Sequence, residues 1–167
     1  MSLGLSTLGL VHTALSLLAL VSGLVVVGGL LVARDLNAWT AIYLASAVAT
    51  TVTGFGFPGG LGIPHYIGSG MLLILLIALL ARYAFRLAGP WRPTYAVSAV
   101  LGVWALVFFT IGEAFLRAPA LKALAPTLTE LPFALAQIAA LALFVVLAIV
   151  AAVKFRHEVA TEMTHQS

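Results

Sequence analysis

Long apolar runs, separated by short stretches that carry the charges, set the pattern of this chain. Leu3 to Ala33 contains no Lys, Arg, Asp or Glu and ends at Arg34-Asp35. Leu36 to Phe57 follows, then Ile63 to about Phe85, Tyr95 to about Phe115, and Leu131 to Val153. A helix crosses the ~30 Å hydrocarbon layer with about 20 mainly apolar residues, so the pattern predicts five transmembrane helices. Ala118 to Pro132 carries prolines at 119, 126 and 132. It is too interrupted to span and is expected as an interfacial loop with one or two helical turns. The fold class is therefore all-α, a polytopic membrane helical bundle. One domain is expected over residues 1–157, followed by a short cytoplasmic tail over 158–167.

Composition agrees with the runs. Of 167 residues, 63% are hydrophobic and 8% charged, against about 25% charged in an ordinary soluble domain. Too few polar side chains exist to cover such a chain in water. The absence of cysteine excludes a disulfide scaffold and a thiolate metal site. A net charge of +3 spread along the sequence forms no nucleic-acid patch; its use is topological.

Arg34, Arg82, Arg86, Arg92, Lys154 and Arg156 fall on one side of a five-span bundle, and only Arg117 and Lys122 on the other. The positive-inside rule then puts the amino terminus outside and the carboxyl terminus in the cytoplasm. A bacterial inner membrane is the expected location. Met1 to Leu10 has no basic n-region, so no cleaved signal peptide is expected, and no lipidation box is visible.

Small residues recur at Gly9, Ser16, Ala19 and Gly23, at Ala41, Ala45, Ala49 and Thr53, and at Ser98, Gly102 and Ala105. Such stripes let helices approach closely in lipid. The aliphatic run Met71 to Leu80 is expected to face lipid over much of its circumference, and Arg82, Arg86 and Arg92 with Tyr83 and Trp91 to form a basic, aromatic rim on the inner side.

Depth can be measured from the cytoplasmic anchors at about 1.5 Å per residue. His12 then lies roughly 33 Å from Arg34, His65 about 25 Å from Arg82, Glu113 about 31 Å from Arg92 and Gln137 about 25 Å from Lys154. Thr50, Thr51 and Thr53 fall about 24 to 28 Å from Arg34. These residues thus share one layer at the outer end. Each also has an ordinary structural role: Arg117 is placed to pair with Glu113 at i+4, Glu130 to occupy a first helical turn after Thr129, and Gln137 to bond between helices.

Taken together, two imidazoles at one depth suit bis-His haem ligation or the nitrogen half of a metal site. His12, His65 and Glu113 compose a two-His, one-carboxylate set for a divalent metal. A haem b would use His12 and His65, with Tyr66 as a wall and Arg117 as a propionate partner. The connection Gly54 to His65 has five glycines and two prolines and no charge; it is read either as a flexible hairpin or as backbone that approaches a ligand walled by Phe55, Phe57 and Tyr66. Its literal G-x-G-x-x-G follows a membrane helix rather than a strand and carries no nucleotide meaning.

The expected function is cofactor or metal binding, haem b or a divalent metal, in redox or metal handling. The alternatives are a non-catalytic accessory or assembly subunit of a larger membrane complex, and a transporter of a small neutral solute. No nucleophile–base set is visible, so the reading leans away from an enzyme. Membrane lipids, and a homo-oligomer or larger complex, are the expected partners.

Overall fold

The computed structural model describes residues 7–57 and 62–164. All regular structure among them is helical. The elements are α1 (Thr7–Leu31), α2 (Asn37–Gly54), α3 (Ile63–Leu79) continued by a π-helical turn (Leu80–Ala84), α4 (Trp91–Arg117), a short α5 (Pro119–Leu124) and α6 (Leu131–Thr164). Four helical stretches are long and apolar enough to cross a membrane: Thr7–Leu31, His65–Ala84, Trp91–Arg117 and Leu131–Phe155. The fifth expected span, α2, forms a helix of 18 residues. Its many hydroxyls, Thr40, Ser46, Thr50, Thr51 and Thr53 among them, make it the more polar helix.

Boundaries moved where local chemistry outweighs hydropathy. α4 begins at Trp91 rather than Tyr95, because Pro90 closes the preceding turn and supplies a carbonyl to the Thr94 amide. α6 runs on to Thr164, continuing through the helical extension expected of Lys154-Phe155-Arg156-His157-Glu158, which contains no glycine or proline to stop it. The interfacial turn expected in 118–132 is α5, begun by a proline at its first position.

α4 packs against α1, α3 and α6, while α2 packs against α1 and α3 and α6 against α1. The middle of the bundle is organised by Tyr43, whose ring is fully buried. It lies between two glycines. A Cβ on Gly23 would sit 2.9 Å from Tyr43 Cδ2 and 2.6 Å from Val103 Cγ2, and one on Gly102 would collide with the Tyr43 hydroxyl. That hydroxyl donates to the Ala99 carbonyl at 2.9 Å, which satisfies a polar group that lipid or a dry core would otherwise leave costly. Gly9, Ala19, Gly23, Ser98, Gly102 and Ala105 are buried, as their stripes predict. The stripe on α2 behaves differently, with Ala41 and Ala45 exposed.

The α1–α2 turn is a helix stop of Schellman type: Ala33 takes φ 56 and the Arg34 amide donates to the Gly29 carbonyl at 2.8 Å. At the same end α3 loosens into its π turn, where the Phe85 amide reaches back five residues to Leu80 at 2.9 Å. Arg86 and Leu87 then follow at φ 48 and 56. An inserted residue of this kind redirects the side chains that follow it. The expectation that Arg82 belongs to an exposed rim is corrected here: its side chain is buried within the bundle.

Candidate functional site

The α1–α2 seam near the amino end of α1 carries a chain of polar contacts. Thr53 Oγ1 donates to the Thr50 carbonyl at 3.0 Å and lies 3.1 Å from His12 Nδ1. A hydroxyl has one proton, so a single arrangement serves both contacts: Thr53 donates to Thr50, and His12 donates Nδ1–H to Thr53. Neutral His12 is thereby held in the tautomer that leaves a lone pair on Nε2. The half-buried ring meets Phe57 edge to face at 5.1 Å between centroids. Gly54 lies beside the ring: a Cβ there would make an ordinary contact of 3.4 Å with His12 Cε1. One turn further along, Ser16 Oγ and Thr50 Oγ1 are 2.5 Å apart, and both reach the His12 carbonyl, at 2.8 and 3.2 Å.

His65 occupies the other flank of α2. Its ring is 5.5 Å from that of Phe55, and its Nδ1 accepts the Gly62 amide at 3.4 Å as a cap on α3. An accepting Nδ1 puts the proton of the neutral ring on Nε2, so the two histidines present opposite faces of imidazole chemistry. His12 offers a lone pair and His65 an N–H. No hydrogen bond or ion pair joins them among the described residues. The middle of the glycine-rich connection, residues 58–61, lies outside the described residues.

The remaining members of the expected layer go elsewhere. Glu113 pairs with Arg117 at 2.5 Å, and both side chains are exposed. Gln137 donates Nε2 to the Phe108 carbonyl at 3.1 Å across the α4–α6 contact. Tyr66 is 71% exposed, on the surface rather than walling a pocket. Among the described residues no group of three or more His, Cys, Asp or Glu comes together. The expected His12, His65 and Glu113 set is therefore not assembled: equal depth along separate helices does not make side chains face one another, and the i+4 arginine captures the carboxylate. Of the expected residues, the fold brings together His12 and Thr53, with Ser16 and Thr50 beside them.

A second polar cluster stands at the opposite end of the helices. Arg82 Nη2 makes a 2.9 Å ion pair with Asp35 and hydrogen-bonds Asn37 Oδ1. The guanidinium also lies 5.2 Å from the ring centre of Tyr95 and 5.8 Å from that of Tyr83. Tyr95 and Thr40 exchange a hydroxyl contact of 3.1 Å beneath it. Arg82 Nη1 is buried without a partner. Sequence reasoning placed Arg82 on a rim and did not join it to Asp35 or Tyr95. The available signal was an acid–arginine pair predicted at one level with tyrosines on adjoining helices.

No protein-family model, curated protein or solved structure matches the chain.

Proposed function

We propose that this chain is a five-span integral protein of the bacterial inner membrane, amino terminus outside and carboxyl terminus in the cytoplasm. It binds a cofactor at the outer end of the bundle through Nε2 of His12 and serves redox or metal handling. The observation that carries this reading is the Nδ1–H of His12 held by Thr53. Ligating imidazoles characteristically donate their other ring N–H to a fixed acceptor, which sets tautomer and orientation. His12 meets that condition with no rearrangement. His65 becomes a second ligand on exchanging its tautomer, which gives up the long contact from Gly62, and on turning from Phe55 toward the His12 flank of α2.

Haem b is the favoured occupant over a divalent ion, because Glu113 is engaged by Arg117 and a two-His, one-carboxylate shell would require breaking that pair. Phe55 and Phe57 supply apolar walls. The test is a visible spectrum and metal analysis of protein purified from cells well supplied with iron and haem. A Soret band, or one equivalent of metal, that disappears in His12→Ala is expected. A colourless, metal-free wild-type preparation overturns the reading.

A second reading, an accessory or assembly subunit, is favoured by α6. Leu131, Leu135, Ile138, Val146 and Ile149 are each more than half exposed along it. Stable co-purification of another membrane protein from native membranes would support it, and a lone monomer in mild detergent would count against it.

A further inference from the structure

A groove of about 460 Å³ runs along the surface between α2 and α3. Ala41, Ala45, Ala49 and Val52 line it from α2, and Leu79 and Tyr83 from α3. Small residues on a membrane helix normally mark a place where another chain of atoms packs closely, yet among the described residues no helix covers Ala41 or Ala45. The stretch from Ala41 to Val52 is about 16 Å long, close to the half of a ~30 Å hydrocarbon core that one leaflet supplies. Its sole polar side chain, Tyr83, stands at the Arg82 end of the helices.

Charge is uneven at that end. Asp35 is the only acid there whose side chain is described, and Arg82 already neutralises it. Arg34 and Arg86 are exposed, and neither makes an ion pair among the described residues. Arg86 follows Tyr83 by three positions, held by the turn that closes the π segment. The groove is thus an apolar slot one leaflet long that ends at Tyr83, three residues before the exposed Arg86. We propose that it holds one acyl chain of an anionic phospholipid, with the phosphate set against Tyr83 and Arg86. A second copy of this chain fits less well, because a twofold partner lying parallel would bring its own Arg34 and Arg86 against these.

The test is native mass spectrometry of the full chain in mild detergent, offered equimolar phosphatidylglycerol and phosphatidylcholine with the same acyl chains. One phosphatidylglycerol should be retained in clear preference. Ala45→Leu with Ala49→Leu fills the groove and should abolish retention of both lipids. Arg86→Gln alters only an exposed side chain and should cut the preference about fivefold, the attraction expected of one surface arginine, while leaving occupancy by phosphatidylcholine unchanged. Circular dichroism checks that each variant is folded; should the double variant not fold, Ala45→Leu alone and Arg86→Gln decide the matter. Equal retention of the two lipids by the wild type overturns the proposal. So does undiminished phosphatidylglycerol in the folded groove-filling variant, or a dimer that the same variant dissolves.

Discussion

Arg82 and Asp35 meet at 2.9 Å, with 5% and 33% of their side chains exposed, so the α1–α2 turn is tied by an ion pair to the π turn that ends α3. Removing one partner of a buried pair leaves the other charge uncompensated, at a cost of about 3–5 kcal/mol when both are fully buried. Asp35 is a third exposed, so water recovers part of its loss. Asp35→Asn leaves the buried Arg82 charge unpaired and should therefore cost more than Arg82→Ala, which leaves the partly hydrated Asp35, on the order of 3 against 1 kcal/mol. Thermal unfolding in detergent reads this difference; an equal or larger loss in Arg82→Ala would mean that packing of the guanidinium on Tyr95 outweighs the unpaired charge.

Tyr43 and Gly102 allow a sharper test. Gly102→Ala places a methyl group on the Tyr43 hydroxyl and should destabilise by about 1–3 kcal/mol through overpacking. Tyr43→Phe removes the obstructing atom and with it the bond to Ala99. The double variant should be less harmed than the two single changes added together, a coupling that a double-mutant cycle measures. Gly112→Ala meets no atom within 4 Å and should stabilise the helix by about 0.5–1 kcal/mol.

Thr53 acts on the proposed cofactor only through His12. Thr53→Val deletes the acceptor for Nδ1–H while preserving shape, and should weaken cofactor affinity about 10- to 100-fold. Thr53→Ser should retain most of it. Titration of the purified protein with haem, followed in the Soret region, compares the three; identical binding by the valine variant would sink the assignment of His12.

Glu130 closes the turn that leads into α6. The Thr127 hydroxyl donates to its carboxylate at 2.8 Å, joined by the amides of Thr127 and Thr129, and these bonds hold its pKa below the usual carboxylate range. Because the folded group is the stronger acid, its contribution is fully present above the ordinary carboxylate range and is lost as pH falls through the lowered native value. Hydrogen exchange at the Thr127 and Thr129 amides should accelerate, relative to a fully exposed peptide, over that acid window. Glu130→Gln should show no such pH-dependent change.

Four of the five expected spans were legible as helices long and apolar enough to cross a membrane, because burial in lipid is a one-dimensional demand: each crossing needs an uninterrupted apolar length, and length is read along the chain. Depth was legible for the same reason, and it correctly brought His12 and Thr53 to one level. Direction around each helix was not. Glu113 shares that level, yet it bonds its own helix at Arg117, and His65 lies against Phe55 on the other flank of α2. The burial of Arg82 was hidden as well, since a π turn leaves no mark in hydropathy and changes which way a side chain points.

By itself the sequence determined that this chain is a bundle of apolar helices, because 8% charge suits lipid rather than water and its apolar runs have the length of membrane helices. It also determined which few residues lie near each end. Only the tertiary structure decided their partners: the tautomer of His12, the Arg82–Asp35 tie, the seat of Tyr43 between two glycines, and the uncovered alanines of α2. Hydrogen bonds and close packing act over ångströms between helices far apart in the chain, and their geometry exists only once those helices have chosen their rotations.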